Sequence, residues 1–330
     1  MKYMQGMGIF SRMKICIIIL MEQKMKGIKL KKLIEELELE VVMASSDFEE
    51  LTITNSQVNR PGIQLSGFFE NFPNKRLQIM GKTETVFLNS MDKDIRRQRM
   101  EGIMSREIPC LIFTQGQDID DYIVELAKKH DKTLIRSTRP TTRLISRIDD
   151  KLAYFLSEQT NMHAGLMEVF GIGVLITGKS SVGKSETALD LIIRGHRLVA
   201  DDVVEVRRMD KVLIGQAPKN IRHFLEIRGI GILDIQRLYG IGSVKPDVEI
   251  ELVACLEPWD DDKEYDRLGL DIEYMDILGV NVQKVTIPVK PGRDIAMIVE
   301  VAVRNYRQRN YGYNAAIELS KRLFSTNEEE

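Results

Sequence analysis

The sequence GKSSVGKS, from Gly178 to Ser185, decides the fold of the second half of this chain. An apolar run at residues 173–177 precedes it and predicts a buried strand, and residues 186–194 follow it with the pattern of a helix. A strand, a glycine-containing loop and a helix, in that order, are the context in which G-x-x-x-x-G-K-S indicates a phosphate-binding loop (P-loop). The sequence therefore predicts that the chain binds the phosphates of a nucleotide.

Each residue type of the loop has a physical role in holding phosphate. Gly178 and Gly183 allow a tight turn in which successive N–H groups face an anion, and the start of the following helix adds unpaired N–H groups. Lys184 is expected to reach the terminal phosphates, and the Ser185 hydroxyl is expected to hold Mg²⁺. The predicted nucleotide-binding residues are Gly178, Lys179, Ser180, Ser181, Val182, Gly183, Lys184 and Ser185.

The composition indicates a two-domain protein with sizeable hydrophobic cores. Of 330 residues, 43% are hydrophobic and 29% are charged, and the net charge is −2. This balance gives no indication of a general nucleic-acid or membrane-surface binder. The cysteines at positions 16, 110 and 255 are far apart in the sequence, which favours reduced core thiols over metal ligands.

The first two dozen residues differ from the rest of the chain. They are rich in methionine, and their apolar run at residues 15–21 is much shorter than a membrane span. No small-residue cleavage site follows, as a secretory signal requires. We interpret residues 1–24 as a non-structural extension, for which an over-extended translation start is favoured over a targeting signal.

Alternating strand and helix patterns in residues 25–140 predict an α/β domain with a largely parallel sheet. Residues 29–39 place apolar side chains on one face of a helix. The expected strands lie at residues 51–58, 77–80, 109–114 and 133–136, and the expected helices at residues 95–104 and 119–129. A helix predicted at residues 141–157 marks the junction, and residues 141–330 are assigned to the P-loop domain.

Two carboxylates follow the P-loop helix at the end of a short apolar run. The run at residues 197–202 ends with Asp201 and Asp202. A P-loop protein uses a carboxylate at the end of such a strand to position a group beside Mg²⁺ or the nucleophile. An acidic turn is the alternative interpretation. Further along, residues 248–256 alternate apolar and polar side chains and predict an antiparallel strand, and residues 283–289 predict a second strand.

Four motifs occur in order: GKSSVGKSETALDLIIRGHRLVADD (178–202), LEIRGIGILDI (225–235), YDRLGLD (265–271) and PVKPGR (288–293). Together with NRPGIQLSGFF (59–69) and RLQIMGKTE (76–84), they closely resemble the HPr kinase/phosphorylase family. The resemblance covers nearly the whole chain from about residue 25 onward.

This resemblance implies a cytoplasmic serine kinase that uses ATP and Mg²⁺ to phosphorylate HPr, the phosphocarrier protein of the sugar phosphotransferase system. It implies that the same enzyme removes this phosphate by phosphorolysis, with inorganic phosphate as the attacking group and pyrophosphate as the product. It also implies a homohexamer, a role in carbon catabolite repression, and a catalytic core similar to the P-loop core of phosphoenolpyruvate carboxykinase. No nucleic-acid or membrane partner is expected.

The resemblance also assigns roles to single residues. The residues that match the family's catalytic groups are His163, Lys184, Asp202 and Arg267. Among them, Asp202 is implied to accept the serine proton. Ser185 and Glu226 match the metal ligands. The segment tied to dephosphorylation comprises Pro288, Val289, Lys290, Pro291, Gly292 and Arg293.

Three positions depart from the family's pattern, and several alternatives stay open. Ser181 and Ala164 stand where glycine is usual, and Asp294 stands where asparagine is usual. Apart from the resemblance, His163 could be a packing residue and PVKPGR an ordinary turn. The rival functions are a P-loop small-molecule kinase or carboxykinase-like enzyme, and a nucleotide-gated regulator without catalysis.

Overall fold

A computed structural model describes residues 27–265 and 271–325 of the chain. It divides into two compact units between Ser157 and Glu158. The predicted extension at residues 1–24 and the predicted catalytic residue Arg267 lie outside the described residues. The predicted domain boundary after residue 140 differs from this division, because the helix Thr141–Leu156 buries its apolar stripe in the core of the first unit.

The first unit contains a five-stranded sheet in the order β2-β7-β6-β5-β4. Strands β4 to β7 pair in parallel and β2 is antiparallel, which confirms the predicted α/β domain with a largely parallel sheet. Its strands are β1 (Ile28–Lys29), β2 (Glu40–Met43), β3 (Thr52–Ile53), β4 (Val58–Asn59), β5 (Leu77–Met80), β6 (Cys110–Phe113) and β7 (Thr133–Arg136). Its helices are α1 (Leu30–Leu37), α2 (Gly62–Leu65), α3 (Lys82–Asn89), α4 (Lys93–Met104), α5 (Asp121–Lys129) and α6 (Thr141–Leu156).

Helices cover both faces of this sheet, and this explains its wholly buried central strands. Helices α1 and α6 pack on one face and α4 and α5 on the other. Cys110 on β6 is fully buried, and its burial raises the pKa of its thiol, as expected for a core cysteine.

The single strand predicted at residues 51–58 is wrong, because the structure has two short strands there. β3 pairs with β1, whereas β4 joins the five-stranded sheet. Between them the Gln57 N–H donates to the Asn55 side-chain oxygen at 2.9 Å, a local turn that competes with strand pairing.

The second unit is built on a nine-stranded sheet and a separate two-stranded ribbon, β14–β15. Its strands are β8 (Gln159–Met162), β9 (Gly165–Val169), β10 (Ile172–Gly178), β11 (Arg197–Ala200), β12 (Val204–Met209), β13 (Val212–Gln216), β14 (Phe224–Ile227), β15 (Gly231–Asp234), β16 (Asp247–Pro258), β17 (Glu273–Ile277) and β18 (Val280–Val289). Its helices are α7 (Lys184–Ile193), α8 (Ile235–Tyr239), α9 (Ile295–Asn310) and α10 (Ala315–Ser325).

The antiparallel strand predicted at residues 248–256 is wrong for most of its length. β16 pairs in parallel with β10 and with β18, and only its first three residues pair antiparallel with β13. Exposed and buried residues alternate at the start of β16, but Leu252, Val253 and Ala254 are all buried. They are buried because α7 and α9 cover one face of this strand and side chains of β12 and β13 cover the other. Because β10, β16 and β18 are parallel, the P-loop and the PVKPGR segment follow strands that end at the same sheet edge.

Candidate active site

The P-loop joins β10 to α7, as the sequence predicts, and both of its glycines have a positive φ that other residues rarely adopt. Gly178 has φ +143°, and a Cβ atom there would lie 2.3 Å from the Leu256 carbonyl oxygen. Gly183 has φ +103° at the start of the helix. Ser181 also has a positive φ, +72°, a left-handed backbone that costs a non-glycine residue about 1 kcal/mol.

Lys184 is buried inside this loop, with 8% of its surface exposed. Its ammonium Nζ donates to the carbonyl oxygens of Gly178 at 3.1 Å and Lys179 at 3.3 Å. A third neighbour, Nε2 of His163, lies 3.4 Å away. The loop backbone therefore holds a positive charge where the sequence predicts phosphate.

His163, immediately after β8, connects Lys184 to Asp202. An ammonium group can only donate, so His163 Nε2 accepts from Lys184 and Nδ1 carries the imidazole proton. Nδ1 lies 2.9 Å from Asp202 Oδ1 and 3.0 Å from the Asp202 carbonyl oxygen. Asp202 has φ +67°, and 38% of its side chain is exposed, so an incoming substrate can reach its carboxylate.

Asp201 is turned inward, unlike its neighbour. Its carboxylate accepts from Ser185 Oγ at 3.0 and 3.1 Å and from the Glu226 N–H at 3.4 Å, and only 8% of the residue is exposed. Burial raises the pKa of Asp201 to about 6, and the nearby Asp202 charge adds to this, although the Ser185 hydrogen bond opposes it.

The oxygen atoms around Asp201 suit Mg²⁺. They comprise the Asp201 carboxylate and the Ser185 hydroxyl that donates to it, and Mg²⁺ prefers oxygen ligands. Glu226 contacts Asp201 through its backbone N–H and carries a further, exposed carboxylate. Over the described ranges, no group of three or more His, Cys, Asp or Glu side chains is arranged to hold a metal. Mg²⁺ here would therefore also need the serine hydroxyl, water and substrate phosphates. The sequence prediction omitted Asp201 from this set, although the apolar run ending in two aspartates pointed to it.

Replacing Asp201 with asparagine should stabilise the metal-free protein at pH 7.5. The raised folded-state pKa means that ionised Asp201 destabilises the fold above pH 6, by about 3 kcal/mol for a shift of about two pKa units. This penalty disappears as the pH falls to about 4, the pKa of an aspartate in the unfolded chain. The difference in stability between Asp201→Asn and the wild type should therefore shrink at that pH. Thermal unfolding of both proteins in chelator, at pH 7.5 and at about pH 4, measures this difference. A variant that is less stable than the wild type at pH 7.5 would contradict the prediction.

The PVKPGR segment forms a tight turn after β18. Arg293 donates from Nη1 to the Pro288 carbonyl oxygen at 2.8 Å and from its backbone N–H to the Lys290 carbonyl oxygen at 3.1 Å. Gly292 supplies the positive φ, +87°. The turn thus places Lys290 and Arg293 just beyond the end of β18 and fixes the guanidinium of Arg293.

Asp294, the residue after the PVKPGR segment, has two partners. Its Oδ1 caps α9 by accepting from the Met297 N–H at 2.9 Å. Its Oδ2 lies 2.6 Å from Nη2 of Arg194, the residue after α7. The carboxylate therefore adds an ion pair between the P-loop helix and the start of α9.

Of the predicted site residues, Ser185 and the backbone of Glu226 contact Asp201, and Lys184 and His163 form a contact series that ends at the adjacent Asp202. The PVKPGR segment lies at the same sheet edge, since Gly178 pairs with Leu256 and Pro258 with Val289. The site combines a P-loop with a buried lysine, a partly exposed carboxylate and oxygen-bearing side chains. These are the types of group that phosphoryl transfer uses.

Comparisons with known proteins identify the family of the chain. A family model described as HPr Serine kinase N terminus matches residues 28–152, and one described as HPr Serine kinase C-terminal domain matches residues 154–323. The chain belongs to the HPr kinase/phosphorylase family. Membership confirms the resemblance drawn from the motifs and the α/β class of both domains, whereas the likeness to phosphoenolpyruvate carboxykinase stays a prediction.

Several relatives match along most of their length. An HPr kinase/phosphorylase of Caldanaerobacter subterraneus is 50% identical over 300 residues, which cover 91% of this chain and 98% of that protein. One from Bacillus cereus is 45% identical over 302 residues, covering 91% and 97%. The solved HPr(Ser) kinase/phosphatase from Coxiella burnetii is 36% identical, with a TM-score of 0.44, and covers 48% of this chain and 98% of that one.

Within residues 27–265 and 271–325, every helix is too short or too polar to cross a bilayer.

Proposed function

We propose that this chain transfers the γ-phosphoryl group of ATP to a serine of HPr and reverses the reaction by phosphorolysis. The observation that carries the proposal is the contact series Lys184–His163–Asp202, which links the phosphate-binding lysine to an accessible carboxylate. Mere nucleotide binding needs no such base, and this disfavours a regulator without catalysis. A cytoplasmic homohexamer that acts in carbon catabolite repression is proposed from family membership.

In the kinase direction, the loop N–H groups and Lys184 hold the ATP phosphates. Asp202 accepts a hydrogen bond from the serine hydroxyl and takes its proton as the oxygen attacks the γ-phosphorus. The bond between that phosphorus and the β–γ bridging oxygen breaks, and ADP leaves. His163 donates from Nδ1 to Asp202 and so orients that carboxylate. Ser185, Asp201 and Glu226 would hold Mg²⁺, which neutralises phosphate charge when it is bound. Arg267 is proposed to stabilise charge on the transferring group.

In the reverse direction, inorganic phosphate occupies the loop where the β-phosphate of ATP would lie. Its oxygen attacks the phosphorus of phosphoserine, and the bond between that phosphorus and the serine oxygen breaks. Protonated Asp202 returns its proton to the leaving serine oxygen, and the product is pyrophosphate. One cradle therefore serves both reactions.

The intact mass of HPr after incubation with this protein, ATP and Mg²⁺ tests the proposal. A gain equal to one phosphoryl group is expected, and adding inorganic phosphate should reverse it with release of pyrophosphate. An unchanged HPr mass with intact ATP binding would favour the regulator, and phosphorylation of a small molecule alone would favour the rival kinase.

Replacing Arg293 with alanine should impair phosphorolysis more than phosphorylation. Free phosphate lacks the adenosine that helps to anchor ATP, so its binding depends more on local cations, and a guanidinium can grip two phosphate oxygens. Loss of a charged hydrogen bond corresponds to a fall of about 10- to 100-fold in pyrophosphate release at low phosphate, with kinase activity reduced less than about threefold. Equal losses in both assays on one preparation would mean that the turn supports the site generally.

A further inference from the structure

The chain contains a single tryptophan, Trp259, at the edge of the sheet where the PVKPGR turn begins. It directly follows β16, and its backbone N–H donates to the carbonyl oxygen of Val289, the last residue of β18, at 2.9 Å. The indole Nε1 donates to Asp261 Oδ1 at 2.7 Å, and the Tyr265 ring lies beside it with centroids 5.1 Å apart. These contacts fix the orientation of the indole relative to the strand ends.

Two cations of the turn lie beside this one ring. Lys290 Nζ is 5.1 Å and the Arg293 guanidinium carbon 5.9 Å from the centroid of Trp259. Both distances fall within the roughly 6 Å over which a cation is attracted to an aromatic ring, and tryptophan attracts most strongly. In the part of the chain that the structure describes, no carboxylate forms an ion pair with either side chain, so both charges are available to an anion.

A flexible lysine and an arginine lose rotamer entropy when they converge on an anion. The indole removes part of this cost, because both side chains already lie against the same ring. We propose that Trp259 is a positioning residue for phosphorolysis, whose indole holds the Lys290 and Arg293 cations and thereby sets the affinity for inorganic phosphate. This inference rests on the proposed phosphorolysis activity, and it adds a residue to the dephosphorylation segment.

Three variants of the full chain test the inference with inorganic phosphate as the varied reactant. Trp259→Leu keeps an apolar side chain but removes the ring, so the KM for phosphate should rise about tenfold, with kcat at saturating phosphate within about twofold of wild type. Trp259→Phe keeps a weaker ring and should give a smaller rise. In the kinase direction the KM for ATP should stay within about twofold for both variants.

Phe170→Leu is the matched control. Phe170 is exposed to a similar degree, 36% against 39% for Trp259, and the Arg304 guanidinium carbon lies 4.4 Å from its ring centroid. It lies before β10, at the end of that strand opposite the P-loop. This variant should leave the KM for phosphate unchanged. A rise equal to that of Trp259→Leu, or equal rises in the KM values for ATP and phosphate, would overturn the inference.

The fluorescence of Trp259 provides a readout that does not depend on activity. The chain has no other tryptophan, so removing a neighbouring cation by Lys290→Ala or Arg293→Ala should change the emission of this residue. If the wild-type protein releases no pyrophosphate, the phosphorolysis proposal fails by itself, and with it the role in phosphate affinity. Emission that is unchanged in both variants would show that the indole does not hold the cations.

Discussion

Replacing Lys184 with alanine should abolish both phosphorylation of HPr and phosphate-dependent release of pyrophosphate from phospho-HPr. The lysine is buried, and its Nζ is held by the carbonyl oxygens of Gly178 and Lys179, so alanine removes the buried cation of the loop. A preorganised charge that faces developing negative charge is commonly worth about 10²- to 10³-fold, and here binding of the phosphates is lost as well. We expect a loss of at least about 10³-fold in each direction.

Lys179→Ala is the matched control, since it removes another lysine from the same loop. Lys179 is exposed, and its expected contribution to the phosphate cradle is the backbone N–H, which alanine retains. It should lose far less activity than Lys184→Ala in both assays. Circular dichroism and thermal unfolding check that each variant is folded. Substantial activity of folded Lys184→Ala in either direction would contradict the single cradle.

Local patterns predicted much of the fold, because they depend on neighbouring residues alone. The apolar stripe at residues 29–39 predicted a helix, and Leu30, Leu33, Ile34 and Leu37 are buried on one face of α1. Pairing direction depends on long-range packing, so the alternation in residues 248–256 gave the wrong orientation for β16. The Asx turn at Asn55 likewise divided a run that propensity alone treats as one strand.

The candidate site was predicted unevenly for a similar reason. The P-loop is one contiguous motif whose residues suffice to indicate a strand, a tight turn and a helix. By contrast, the different environments of Asp201 and Asp202 depend on the turn after β11. This turn directs the Asp201 carboxylate inward and leaves the Asp202 carboxylate accessible. The contacts of Trp259 with Lys290 and Arg293 join strand ends that are distant in sequence, and no motif indicated them.

Asp202→Asn should reduce turnover by about 10²-fold or more in both directions while ATP binding survives. Asparagine has nearly the same shape and can still accept from His163 Nδ1, but it cannot take or return the serine proton. The phosphates are held by the loop and Lys184, so the Kd for ATP should change little. Turnover with HPr and a direct binding measurement with ATP, made on one preparation, separate these two effects.

Asp201→Asn is the comparison that tests the assignment, because it makes the same chemical change at the adjacent residue. Asp201 is buried against Ser185 Oγ and the Glu226 N–H, so its loss should raise the Mg²⁺ concentration needed for half-maximal activity. Asp202→Asn should leave that Mg²⁺ concentration unchanged, since the exposed Asp202 faces His163 instead. Near-normal turnover of Asp202→Asn together with a collapse in Asp201→Asn at saturating Mg²⁺ would mean that the buried carboxylate is the base. The Lys184–His163–Asp202 contacts would then serve only to hold the lysine.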